Sequence, residues 1–133
     1  MNNLYIYCFS TNESKFLKKL PDNIIPVILG DSRSGNSNYE YENNGINISN
    51  LNKYCAELTG IYWVYKNKIM HHNNDDWIGF CHYRRFWLNS LLKKKKSFSN
   101  IYSKLLLNQI SSLNDYETML VDPIYLKNEN VID

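Results

Sequence analysis

Leu4-Tyr5-Ile6-Tyr7-Cys8-Phe9, closed by Ser10-Thr11-Asn12, is the stretch on which the fold turns. An unbroken apolar and aromatic run of this length suits a strand buried on both faces of a sheet. Outward from it, Ser14 to Leu20 reads as a brief helix stopped at Pro21, and Ile24 to Leu29 as a second strand ended by Gly30. Pro26 is tolerated in that strand only near its start or at an edge, because it lacks an amide proton. Residues 31–45 are polar, contain glycine and show no period, so a long loop is expected there. Asn50 to about Lys68 is the clearest helical stretch, with Ser49 placed to cap its first turn. Leu51, Tyr54, Cys55, Leu58, Ile61, Tyr62 and Tyr65 recur at spacings of three and four, forming an arc expected to face the core.

After a polar connector, His71 to Asp76, the run Trp77-Ile78-Gly79-Phe80-Cys81 predicts another short buried strand, leading directly into His82-Tyr83-Arg84-Arg85. Ile101 to Leu113 has helical character, and Glu117 to Val121 reads as a last strand before Pro123. Strands alternating with helices predict an α/β fold, a mostly parallel layered sheet with flanking helices. In such sheets ligands bind beyond the carboxyl ends of the strands, where the His82 to Arg85 segment falls.

The 133 residues, 44% of them hydrophobic, suffice for one ordinary domain but are few for a complete two-substrate enzyme. A net charge of +2 lacks the strongly basic patch of a nucleic-acid binder, so none is expected as a partner. Cys8, Cys55 and Cys81 are odd in number and widely spaced, and read as buried thiols in a reducing compartment. A charged leader before an apolar signal stretch is missing, as is any run of about 18 apolar residues, which predicts a cytoplasmic chain.

Two arginines and a histidine at a strand's end suit phosphate recognition, because guanidinium groups donate paired hydrogen bonds to phosphate oxygens and stay charged. Neighbours on a regular strand point to opposite faces, so Arg84 and Arg85 share one ligand only if the strand bends or ends there. The structural alternative pairs them with Asp75, Asp76 or Glu57. On the helix, Thr59, Trp63 and Lys66 lie opposite most of the apolar arc. Trp63 either stacks on a sugar or base or packs against another layer. Glu57 either accepts a proton, binds a sugar hydroxyl or pairs with Lys53 four residues earlier. The lysine run 93–96 reads as a solvated turn rather than an anion site, and His71-His72 with Asp75-Asp76 as a loop rather than a metal site.

Asn47-Ile48-Ser49, Asn52, Glu57-Leu58-Thr59, Tyr62-Trp63, Lys66-Asn67 and Ile78 to Phe86 with its His-Tyr-Arg-Arg core together resemble an uncharacterised bacterial family similar to glycosyltransferases of the GT-A fold and associated with capsular polysaccharide and lipopolysaccharide synthesis. The resemblance implies a GT-A-like, Rossmann-like N-terminal portion and hexosyl-type transfer from a nucleotide-sugar donor to a glycan or lipid-linked glycan acceptor. It places that transfer in the cytoplasm, compatible with peripheral contact at the inner face of the membrane. Catalytic roles fall on His82 and Glu57, and substrate binding on Arg84, Arg85, Tyr83, Trp63, Thr59, Lys66 and Asn67. GT-A enzymes commonly hold manganese or magnesium through an Asp-x-Asp motif, which this chain lacks; positive side chains are expected to take over the metal's electrostatic role. Family members continue well beyond the predicted last strand, so residues 1–133 read as one such domain lacking its C-terminal part. The competing reading is a non-catalytic remnant or interaction module, binding a partner through the face around Trp63 and the basic motif.

Overall fold

A computed structural model describes residues 3–30, 36–88, 105 and 117–120. Four strands, β1 (Leu4–Ser10), β2 (Ile24–Ile28), β3 (Glu40–Tyr41) and β4 (Trp77–His82), form one sheet in the order β3-β2-β1-β4. Every pairing is parallel, so the predicted α/β architecture holds. The chain steps outward from β1 through β2 to β3, then returns to the other side of β1. The direction of winding thus reverses between β1 and β4, opening a crevice at their carboxyl ends.

β1 builds a core on each face. Leu4, Ile6 and Cys8 pack with Leu17, Ile24, Ile28, Tyr39, Tyr41 and Leu105 on one side. Tyr7 and Phe9 pack with Val27, Leu29, Trp63 and Val64 on the other. Full burial of side chains of this size stabilises the fold by roughly 1.5–3 kcal/mol each.

The expected helix around Ser14 to Leu20 is reduced to a 3-10 turn at Leu17–Lys19, which delivers Leu17 to the first core. Pro26 sits mid-strand at no cost in hydrogen bonds. Ile6 N donates to Asn23 O and Leu29 N to Ser10 O, so the odd-numbered residues of this segment face β1. By alternation the Pro26 nitrogen faces the β3 side, where β3 pairs only with Val27 and Ile28. The supposed loop contains that two-residue strand; residues 31–35 lie outside the described residues.

The long helix is broken. A 3-10 turn at Ser49–Leu51 leads into α1 (Asn52–Cys55), Ala56 interrupts at φ +45°, and α2 (Glu57–Asn67) follows. The Ser49 hydroxyl donates to Asn47 Oδ1 at 2.9 Å, and Ser49 itself opens the 3-10 turn. The apolar arc also faces the wrong way. Leu51, Tyr54, Leu58 and Tyr65 are exposed, whereas Thr59, Gly60, Trp63 and Val64 form the buried face of α2. Gly60 decides this orientation, since a β-carbon there would lie 2.7 Å from both Leu29 Cδ2 and Phe9 Cε1. Only a residue without a side chain lets the helix settle onto the sheet at this point.

Of the three thiols, none in a disulfide, Cys8 is buried while Cys55 and Cys81 are half-buried. Cys8 and Cys81 face each other in register, and their hydrogen bond, then burial, pushes the Cys8 thiol up. β4 is half-buried along its length rather than buried, because among the described residues only β1 pairs with it. Glu117 to Leu120 are not strand, contrary to expectation, and Val121 lies outside the described residues. The lysine run 93–96 and the expected helix from Ile101 to Leu113 also lie outside them, apart from buried Leu105. Among the described residues no helix is long and apolar enough to cross a membrane.

Gly60→Val is expected to lower folding stability by about 1–3 kcal/mol, through overpacking against Phe9 and Leu29. Chemical denaturation measures it, and an unchanged midpoint contradicts the packing described.

Candidate functional site

His82-Tyr83-Arg84-Arg85 is a tight turn. β4 ends at His82, the Arg85 amide donates to the His82 carbonyl at 2.8 Å, and the two residues form an antiparallel bridge. Two further bonds hold the turn against the sheet: Tyr83 N to Phe9 O and Trp87 Nε1 to Phe80 O, both 2.9 Å. Because the strand stops here, the opposite-face objection disappears, and Arg84 and Arg85 line one pocket with His82 and Glu57.

Within that pocket the Arg84 amide donates to His82 Nδ1 at 3.2 Å. This bond assigns the neutral imidazole its proton on Nε2, which points toward Glu57. Nε2 and Glu57 Oε1 stand 3.6 Å apart, beyond hydrogen-bond length but close enough for strong charge interaction. The Glu57 side chain is 46% exposed and the imidazole 24%, so the pair borders open space. Desolvation holds His82 below the ordinary imidazole value of 6.5, with Arg84 and Arg85 adding to the effect and Glu57 opposing it. A site this positive favours a neutral imidazole until an anion arrives.

The structural alternatives for the arginines fail among the described residues. Both are exposed and neither forms an ion pair with Asp75, Asp76 or Glu57. Asp76 is occupied elsewhere, accepting from the backbone amides and side chains of Asn3 and Asn73, and these bonds lower its pKa. His72 Nε2 lies 2.8 Å from the Tyr7 hydroxyl, whose own pKa is pushed up to about 12, chiefly by burial. His72 and Asp76 of the 71–76 connector are therefore engaged in holding the fold.

A second cavity, about 640 Å³, opens beside the first at the crevice between β1 and β4. Ser10, Asn12 and Ser14 line it from the end of β1, and Phe16, Tyr83, Arg84 and Phe86 complete it. Arg84 borders both cavities, and its guanidinium lies 5.2 Å from the Tyr83 ring centroid. Sequence reasoning took Ser10-Thr11-Asn12 only as a strand end, although a parallel strand's carboxyl end at a reversal of winding is where ligand contacts arise.

The remaining candidates are elsewhere. Trp63 is 2% exposed and donates through Nε1 to the Asn44 carbonyl, so it offers no stacking face and no docking surface. Asn67 bridges Ile46 N and O and the Trp63 carbonyl, pinning the 43–47 loop to α2. Gly45, at φ +73°, is required there, because a β-carbon would collide with Asn67 Oδ1. Lys66 is exposed and lies over the Tyr62 and Tyr65 rings. Thr59 is fully buried, bonded to Asn52 and to the Ala56 carbonyl. Of the nine candidates, His82, Glu57, Arg84, Arg85 and Tyr83 come together, whereas Trp63, Thr59, Lys66 and Asn67 do not.

One buried acid was missed. Glu42, just past β3, accepts from Gly30 N at 2.8 Å through Oε2, while its Oε1 has no hydrogen-bond partner among the described residues. Its position in a polar stretch gave no sign of burial. No group of three or more His, Cys, Asp or Glu side chains among the described residues is placed to hold a metal ion.

Comparison with known proteins agrees with this architecture. Among solved structures, the apo structure of the bifunctional glycosyltransferase WbbM is similar at 34% sequence identity and a TM-score of 0.52. The match covers 74% of this chain but 16% of that one, so the chain spans less than a fifth of that protein's length. No curated protein matches the chain. Residues 6–133 match the family described as domain of unknown function DUF4422. With nearly all of its length matched, the chain belongs to the DUF4422 family.

Proposed function

We propose that this chain binds the diphosphate of a nucleotide-sugar donor and serves glycosyl transfer to a bacterial surface glycan, in capsule or lipopolysaccharide synthesis. Arg84 and Arg85, unpaired among the described residues, face one pocket with His82 and Glu57 at the carboxyl end of β4, and this arrangement carries the assignment. The similarity to a bifunctional glycosyltransferase supports the reaction class.

In this reading the diphosphate lies against Arg84 and Arg85, and the nucleoside occupies the neighbouring cavity between Phe16, Tyr83 and Phe86. Ser10, Asn12 and Ser14 supply hydrogen-bonding groups to its sugar or base. The acceptor is a glycan or lipid-linked glycan, met at the cytoplasmic face of the membrane. As the bond from the anomeric carbon to the diphosphate oxygen breaks, its electron pair passes to that oxygen. The two guanidinium groups stabilise the charge that develops, and His82 donates a hydrogen bond from Nε2–H or, once protonated beside the bound diphosphate, a proton. For an inverting reaction Glu57 takes the proton of the acceptor hydroxyl while the new bond to the anomeric carbon forms.

Titration calorimetry with uridine, guanosine and cytidine diphosphates, with and without manganese, is expected to show saturable binding of at least one. Arg84→Ala and Arg85→Ala should each weaken it by about 1.5–3 kcal/mol, the contribution of a charge-assisted hydrogen bond. Unchanged affinity in both folded variants removes the assignment. Because desolvation holds His82 below the ordinary imidazole value and a bound anion favours its charged form, binding should take up protons and tighten as pH falls. Calorimetry in buffers of different ionisation enthalpy reads that uptake directly, and a buffer-independent enthalpy contradicts the role given to His82.

A further inference from the structure

The interruption between α1 and α2 is held open against local preference. Alanine is the best helix former, yet Ala56 leaves the helix at φ +45°, ψ −128°, a conformation that a residue with a side chain rarely adopts. Three donors converge on its carbonyl: Asn52 Nδ2 at 3.0 Å, Thr59 Oγ1 at 2.9 Å and Thr59 N at 3.2 Å. Asn52 Nδ2 also donates to Thr59 Oγ1 at 3.0 Å, closing the two side chains into one clasp. Thr59 is fully buried, so its hydroxyl is engaged in this clasp rather than in contact with solvent.

The consequence falls on the next residue. In an uninterrupted helix Lys53 and Glu57 would be neighbours at i, i+4 and form a surface ion pair. Here Lys53 instead lies over the Tyr54 ring, 4.6 Å from its centroid, and Glu57 reaches to within 3.6 Å of His82. We propose that Asn52 and Thr59 are positioning residues for Glu57: by gripping the Ala56 carbonyl they hold the break that turns this carboxylate from Lys53 into the pocket beside His82. The functional value of that placement rests on the donor-site reading above, but the placement can be tested without it.

The groups facing His82 are Glu57 from α2 and Arg84 and Arg85 from its own turn. Its titration, followed by NMR on histidine-labelled protein and assigned with His82→Asn, therefore reports where the Glu57 charge lies. Glu57→Gln should move the His82 midpoint downward. Thr59→Val and Asn52→Ala should move it downward likewise, and Glu57→Gln/Thr59→Val should go no further than Glu57→Gln alone. Thr59→Ser, which keeps the hydroxyl, should titrate like the unaltered protein. A His82 midpoint unchanged in both Asn52→Ala and Thr59→Val, with circular dichroism showing intact folding, overturns the proposal. Should Thr59→Val not fold, Asn52→Ala decides the matter, because it removes only the half-buried arm of the clasp. Nucleoside diphosphate titration of the unaltered protein separates the two ideas: failure to bind ends the donor reading and leaves the clasp to the histidine titration.

Discussion

β1 is the constraint on which everything else depends. It pairs on both edges and is buried on both faces, so its backbone must be satisfied by β2 and β4 and its side chains by both covering layers. Neither neighbour can slip by one residue without sending its own side chains to the opposite core, as Ile24 and Ile28 on one face of β2 and Val27 on the other show. The same register fixes the height of the crevice: Phe9 stands opposite His82, and its carbonyl receives the Tyr83 amide. Position of the basic turn is thus a by-product of core packing.

From that anchor the pocket is assembled by segments far apart in sequence. β4 supplies the turn, the break after α1 supplies Glu57, and the residues following β1 supply the adjoining cavity. The turn is fixed by backbone hydrogen bonds and the Trp87 indole, and the break by the Asn52 and Thr59 side chains, rather than by side-chain pairing within the pocket. The arginines and the carboxylate therefore remain unneutralised where a ligand can use them. An open pair such as His82 and Glu57 retains more electrostatic freedom than a sealed salt bridge, whose charges would already be spent on each other.

Much of this was legible in the residues. The apolar runs of β1, β2 and β4 specify strands because nothing polar interrupts them, and their alternation with a helical stretch specifies a parallel sheet. The helix was misread in orientation because periodicity counts apolar residues, whereas burial here follows fit. Gly60 admits the helix to the sheet, Trp63 fills the space beside it, and Leu58, Tyr62 and Tyr65 are equally apolar but lie on the other side or only partly beneath the surface. The break at Ala56 was invisible, since alanine carries no signal for a left-handed conformation and only the tertiary clasp imposes it. Trp63 and Asn67 looked functional for a related reason: both are polar-tipped residues whose tips turn out to hold a loop.

Pro26 has a consequence beyond local tolerance. Open sheet margins recruit foreign strands, because unpaired amides and carbonyls serve as a template for cross-β growth. On the outer side of β2 the described ladder runs only opposite Val27 and Ile28, and immediately before it stands a residue with no proton to offer. An intruding segment that continued the ladder toward the start of β2 would meet no amide proton at Pro26 and lose a bond at its first step.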